Sequence, residues 1–188
     1  MFAPMPTIIG ISGSLRRGSY NTLLLRAVAT QAPAGTSVEI ASIHDLPLYD
    51  GDLEAEHGVP AAVGTLKDRI ANSDGLLLAT PEYNNSVPGV LKNAIDWLTR
   101  PPTDIARVFF NRPVALMGAT MGAGGTNLAQ AAWLPVLRVL GTRPWFAGRL
   151  FVSAAHEVFA ADGSITDPRV TKQVQRFIDG FAAVLNKS

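Results

Sequence analysis

Three short stretches carry side chains suited to holding a polar ligand, and each follows an apolar run. The first is Gly13-Ser14-Leu15-Arg16-Arg17-Gly18-Ser19-Tyr20-Asn21-Thr22. Ser14, Ser19 and Thr22 offer hydroxyl donors, and Arg16 or Arg17 offers a cation. A helix opening here adds free N–H groups and a partial positive charge. Those parts make a phosphate cradle. The stretch lacks the Gly-Lys-Ser/Thr of a P-loop, so nucleotide hydrolysis is not indicated. Gly10, Gly13 and Gly18 stand at the wrong intervals for G-x-G-x-x-G. The bland alternative is a capped helix start with solvated arginines.

The second stretch is Thr80-Pro81-Glu82-Tyr83-Asn84-Asn85-Ser86-Val87-Pro88-Gly89. Two asparagines, a glutamate and backbone N–H groups can hydrogen-bond the polar edge of a flat heterocycle, and Tyr83 can pack on its face or rim. Equally, Asn-Asn-Ser is ordinary turn chemistry and Tyr83 a surface aromatic. The third is Ala119-Thr120-Met121-Gly122-Ala123-Gly124-Gly125-Thr126, where missing side chains let a planar ligand approach backbone. Read alone, it is a flexible connection.

Other chemistries find no support. There is no cysteine, hence no disulfide, thiol nucleophile or Cys-ligated metal. His44, His57 and His156 lack metal-ligand spacing, and no G-x-S-x-G elbow is present. Glu54 and Glu56 read as solvated loop residues. Trp97 and Trp133, on apolar helix faces, read as core or subunit-interface residues.

The elements that must position the three stretches follow from hydrophobic patterning. Apolar runs at 7–12, 37–41, 75–80 and 114–119 read as buried strands, with a last strand within 142–152 broken around Gly148. Helical stripes occupy 21–30, 60–72, 88–98, 128–140 and 170–185, with Asn21 or Ser19 as first N-cap and Gly141 as a C-cap. The segment 43–60 reads as long and irregular. Strands alternating with amphipathic helices mean a parallel sheet covered on both faces. With five strands, the order 2-1-3-4-5 is the flavodoxin-like doubly wound solution, and ligands sit outside the carboxyl ends of its strands.

The chain of 188 residues reads as one domain, 1–188, without repeat or linker. A net charge of +1 without basic runs gives no reason to expect nucleic acid or a membrane surface as partner. No stretch is apolar for long enough to span a bilayer, and the N-terminus lacks the pattern of a signal peptide. A cytoplasmic location suits the absence of cysteine.

Gly-Ser-Leu-Arg followed by Ser and Asn, together with Pro-Glu-Tyr-Asn-Asn-Ser-Val-Pro-Gly-Val-Leu-Lys-Asn-Ala-Ile-Asp-Trp, resembles the NADPH-dependent FMN reductase family, whose members include chromate, quinone and azo-dye reductases. Asp45-Leu46-Pro47-Leu48-Tyr49-Asp50-Gly51-Asp52 is similar to that family's loop after strand two. The resemblance implies FMN as cofactor and NADPH or NADH as electron donor, with a quinone, a flavin or a similar small molecule as acceptor. It implies that Ser14, Arg16, Ser19, Asn21 and Thr22 hold the FMN phosphate. Pro81, Glu82, Tyr83 and Asn84 would line the ring and ribityl chain, with Asn85 and Ser86 close by, and Thr120 and Gly122 would meet the ring edge.

The flavin then carries the chemistry and no side chain is assigned as catalytic. Electrons pass by ping-pong hydride transfer. Arg16 or Arg17 is a further candidate for the nucleotide phosphates of the donor, which a KM for NADPH unchanged in Arg16→Ala would refute. One departure stands out: the arginine many members carry before the glutamine is absent from Thr126-Asn127-Leu128-Ala129-Gln130. It bears on acceptor preference and on tetramer contacts. The family's habit of pairing implies a homodimer, possibly a homotetramer, with Leu91, Ile95, Trp97 and the loop after strand two as candidate interface. The competing reading is an FMN-binding electron carrier or flavin-based sensor. Such carriers are strongly acidic, against a pI near 8.1 here.

Overall fold

The computed structural model describes residues 5–185; the N-terminal reading therefore lies partly outside the described residues. A parallel sheet is built from β1 (Thr7–Ser12), β2 (Ser37–Ala41), β3 (Gly75–Ala79), β4 (Pro113–Ala119), β5 (Arg143–Pro144) and β6 (Phe151–Val152). Its order is β2-β1-β3-β4-β5, with β6 also on β4. This is the flavodoxin-like topology expected. The fifth strand is interrupted: β5 pairs with Pro113 and Val114, and β6 with Gly118 and Ala119 on the same edge. The intervening 145–149 segment swings away and leaves an apolar hollow of about 320 Å³ against Leu116, Leu134, Trp145 and Phe151.

The eight helices among the described residues are α1 (Tyr20–Thr30), α2 (Gly51–His57), α3 (Ala61–Ala71), α4 (Gly89–Leu98), α5 (Ile105–Phe109), α6 (Asn127–Val139), α7 (Ala155–Val158) and α8 (Pro168–Leu185). Side chains alternate across each strand, so Ile8, Leu77 and Met117 face α1 and α8. Ile9, Ile11, Leu76, Leu78 and Val114 face α3, α4 and α6. Burial on both faces explains why the strands are continuously apolar. None of the helices is long and apolar enough to cross a membrane.

Two expectations need correction. Leu91, Ile95 and Trp97 are buried within the monomer, Leu91 and Ile95 in the core on the inner side of α4 and Trp97 under the loop that carries Pro47 and Tyr49, so they offer no surface to a second subunit. Trp133 is likewise fully buried. Glu54 does not stand free in a loop. Asp50 caps the short helix α2, and Glu54 on that helix accepts from Arg100 Nε at 3.0 and 2.7 Å and from the Tyr49 hydroxyl at 3.1 Å.

The segment before α2 is pinned to α4. Pro47 O accepts from Asn93 Nδ2 and Trp97 Nε1, both at 2.8 Å, and Tyr49 N–H donates to Asn93 Oδ1 at 2.9 Å. Tyr49 stands edge-on to Trp97 with ring centroids 5.0 Å apart. Asn93 and Trp97 of the long second motif thus hold the preceding loop.

The hydrogen bond from Arg100 holds the Glu54 carboxyl below the ordinary carboxylate value and raises Arg100 in turn. A pKa depressed by folding gives stability above the unfolded value of about 4.3, lost as pH falls through the folded value. Acid titration below about pH 4.3 is therefore expected to release the 43–58 segment before the sheet unfolds, read as a change in Trp97 fluorescence. Glu54→Gln should abolish that separate step; an identical step in the variant refutes the assignment.

Candidate functional site

The three stretches converge at the carboxyl ends of β1, β3 and β4. They enclose a cleft of about 270 Å³ lined by Ser14, Arg16, Ser19, Asn21, Pro81, Glu82, Tyr83, Thr120 and Gly122, all expected from the sequence. Tyr20, Ala119 and Met121 also line it and were not anticipated. Tyr20 falls in the first stretch, where the sequence reads a loop and gives the aromatic ring no role; in the structure it opens α1 and its ring stacks on Phe159 at 5.9 Å. Met121 lies within the glycine-rich third stretch, and its exposure gives the cleft an apolar lip.

Ser19 is the N-cap of α1. Its backbone is extended and its Oγ accepts from Thr22 N–H at 3.3 Å, while Leu23 N–H reaches Ser19 O at 3.0 Å. Among the described residues, the N–H groups of Tyr20 and Asn21 have no backbone or side-chain acceptor. Such first-turn donors form a ready anion site. Ser14 and Ser19 are 6% and 3% exposed, so their hydroxyls act in a partly desolvated pocket. Arg16 is exposed at its rim.

The side chains of Asn21 and Thr22 are engaged within the protein. Asn21 Nδ2 donates to Ala119 O at 2.9 Å, and Ala119 N–H donates back to Asn21 Oδ1 at 2.9 Å. The side chain is spent bracing α1 to the end of β4, so only its backbone N–H is available to a ligand. Thr22 Oγ1 donates to Ser12 Oγ at 2.8 Å and lies outside the cleft lining. His44 also braces the loop: its Nε2 is 3.1 Å from Leu15 O.

Pro81 comes close to the end of β1, where a Cβ on Gly13 would lie 2.9 Å from Pro81 Cδ. Tyr83 to Ser86 forms a tight hairpin with reciprocal backbone hydrogen bonds of 3.2 and 3.1 Å. Asn84 and Asn85 occupy its centre at φ 50° and 59°. Positive φ at both central residues marks a type I′ turn, which asparagine tolerates. The side chains of Asn84, Asn85 and Ser86 therefore sit at an exposed tip, outside the cleft lining. Tyr83, 45% exposed, stands at the mouth.

Thr80 and Thr126 fasten the floor. Thr80 Oγ1 donates to Pro81 O at 2.9 Å and accepts from Trp133 Nε1 at 3.1 Å. Thr126 is buried in the left-handed region at φ 69°, a strained conformation for a β-branched residue. Beyond it, Glu82 Oε2 accepts from Leu128 N–H at 2.9 Å and Ala129 N–H at 3.0 Å, tying the second stretch to α6. The third stretch is strapped from its other side by Ala155 N–H to Thr120 O at 2.9 Å and Ser153 Oγ to Ala123 O at 2.7 Å.

Residues 6–157 match the family model of the NADPH-dependent FMN reductases. The chain belongs to this family. An NAD(P)H-dependent FMN reductase of Pseudomonas aeruginosa is 41% identical over 169 residues, covering 90% of this chain and 89% of its own. A 2-hydroxy-1,4-benzoquinone reductase of Burkholderia sp is 38% identical, covering 92% of each. The solved structure of FerB, a flavoenzyme NAD(P)H:(acceptor) oxidoreductase from Paracoccus denitrificans, superposes with a TM-score of 0.86 at 38% identity, covering 97% of this chain and 98% of that one.

The donor set fits the family's cofactor. One end of the cleft gathers two buried hydroxyls, a guanidinium and helix N–H groups, which suit a phosphate dianion. The other end presents Pro81, Tyr83, Thr120, Met121 and Gly122, which suit a flat ring with polar edges.

Proposed function

We propose that this chain is an FMN-dependent NAD(P)H oxidoreductase that reduces quinones, flavins or similar small acceptors. The observation that carries the reading is the convergence of an anion-binding end and a flat, half-apolar end in one cleft at the sheet's switch point. FMN, when bound, supplies the redox chemistry: it takes a hydride from NAD(P)H and returns two electrons to the acceptor. The N–H groups of Tyr20 and Asn21, with the Ser14 and Ser19 hydroxyls and Arg16, would hold the phosphate. Pro81, Glu82, Tyr83, Thr120 and Gly122 would orient the ring, with Asn84, Asn85 and Ser86 shaping the turn beside it.

No protein acid or base is assigned. The residues' task is to fix the ring and leave one side open, so that donor and acceptor can enter in turn. That openness suits several acceptors, chromate among them. A cytoplasmic location, where NAD(P)H is supplied, suits the reaction. Pairing into a homodimer would cover the cleft mouth; Tyr83 at that mouth, Leu48 before α2 and Leu53 on it are exposed apolar or aromatic groups that a second subunit could cover. A monomeric mass at micromolar concentration by light scattering would refute the dimer.

The decisive experiment is an anaerobic visible spectrum before and after one equivalent of NADPH. Flavin bands that bleach support the proposal. Bands that persist after NADPH or NADH would make the protein a carrier or sensor. Absence of flavin bands after soaking with FMN would overturn it.

A further inference from the structure

Glu82 occupies an unusual place in this cleft. The first turn of α6 has four N–H groups to satisfy, and its own N-cap supplies no side chain for them. Thr126 is left-handed there, and its hydroxyl accepts from Gln130 Nε2 at 3.2 Å instead. Asn127 N–H turns back to Gly124 O at 3.1 Å, and Gln130 N–H reaches Thr126 O at 3.0 Å. The two between, Leu128 and Ala129, are satisfied by one oxygen of Glu82, at 2.9 and 3.0 Å. A residue 46 positions earlier in the chain thus caps this helix. The same residue lines the cleft, beside Tyr83 on its own loop and opposite Thr120, Met121 and Gly122 on the loop that α6 terminates.

Geometry and charge are separable here. As an acceptor, Glu82 fixes the distance between the second and third loops. As a carboxylate, it sets a full negative charge against the partial positive charge of a helix N-terminus, roughly half an elementary charge. The N-terminus alone would favour electrons arriving nearby; the carboxylate outweighs it and leaves that wall of the cleft net negative. In the family reaction NAD(P)H gives up a hydride, two electrons and one proton, and departs as NAD(P)⁺. The bound FMN thereby gains one negative charge.

We propose that Glu82 is a positioning and potential-setting residue: its carboxylate joins the two ring-side loops and holds the reduction potential of bound FMN down, so that the reduced cofactor gives its electrons readily to weak acceptors. This rests on FMN binding in the cleft. No arginine or lysine is paired with Glu82 in any ion pair among the described residues, so its charge is not cancelled by a side chain.

Two variants divide the roles. In Glu82→Gln the amide oxygen can still accept from both N–H groups, but the charge is gone. Affinity for oxidised FMN, read by fluorescence quenching, should stay within about threefold, while reduced FMN binds about tenfold more tightly relative to oxidised. That ratio is a rise of about 30 mV in the two-electron potential, measured by equilibration with a reference dye. In Glu82→Ala the acceptor is lost as well, and oxidised FMN should bind at least tenfold more weakly. An unchanged potential in Glu82→Gln, with FMN bound, overturns the electrostatic role. Unchanged FMN affinity in Glu82→Ala overturns the positioning role. Failure of the unaltered protein to bind FMN overturns the reading of the cleft and this proposal with it, an outcome distinct from either variant result.

Discussion

Ser14→Asp is expected to weaken FMN binding by about a hundredfold or more, while riboflavin binding changes by no more than about twofold. Ser14 is 6% exposed and lines the end of the cleft where the first turn of α1 presents its N–H groups. A carboxylate there would lie within a few ångströms of a bound phosphate. Two like charges at 4 Å repel by about 4 kcal/mol at an effective dielectric of 20, and each 1.4 kcal/mol is a factor of ten. The expected loss is set below the full Coulomb figure because Arg16 at the rim offsets part of it. Riboflavin lacks the phosphate and serves as the internal control. Fluorescence titration with both ligands measures the difference. Equal losses for the two would mean that Ser14 does not face the phosphate, and a thermal melt of the apoprotein shows whether the variant is folded.

Gly118→Ala should lower stability by about 3 kcal/mol. Gly118 lies in β4 where β4, the end of β3 and the start of α6 come together. A Cβ there would overlap the Thr126 hydroxyl and the Thr80 carbonyl oxygen, and the second of these is backbone that cannot rotate away. Relief requires parting β3 from β4 where Thr80 N–H bonds Met117 O at 2.8 Å. At 2–4 °C per kcal/mol for a chain of this size, the melting temperature should fall by about 10 °C. FMN affinity should fall too, since Thr80 leads into Pro81 and Thr126 into α6. Gly64→Ala is the contrasting control. Nothing lies within 4 Å of its added methyl, and alanine in a helix interior gains about 1 kcal/mol over glycine.

The sheet was legible because its strands are buried on both faces and read as uninterrupted apolar runs, such as Leu76-Leu77-Leu78. The break in the fifth strand was marked by Gly148, whose backbone packs against the Trp145 ring. Helix α2 was missed because it buries nothing: it is held by the Asp50 cap and by polar contacts from Glu54. At the site, the cap at the start of α1 was readable because capping chemistry is local in sequence, as with Ser19 and Thr22.

The contacts that were not legible are those decided by distant partners. Asn21 finds its partner at Ala119, and Glu82 finds its own at Leu128 and Ala129. Nothing local distinguishes an asparagine that meets a ligand from one that meets a strand end. Asn84 and Asn85 illustrate the reverse case, where turn geometry accounts for residues that the family resemblance set along or close to the ring and ribityl chain.

The brace from Asn21 to Ala119 spans 98 residues, and the strap from Ala155 to Thr120 closes the cleft from still further along the chain. During synthesis α1 and its cap emerge first, yet the wall opposite them is not made until most of the polypeptide has left the ribosome. Contacts of such long range form late because the intervening chain must first be ordered. The cradle is therefore a property of the finished molecule: cofactor capture follows folding instead of guiding its early steps, and fragments ending before β4 would carry the first motif intact without a pocket to use it.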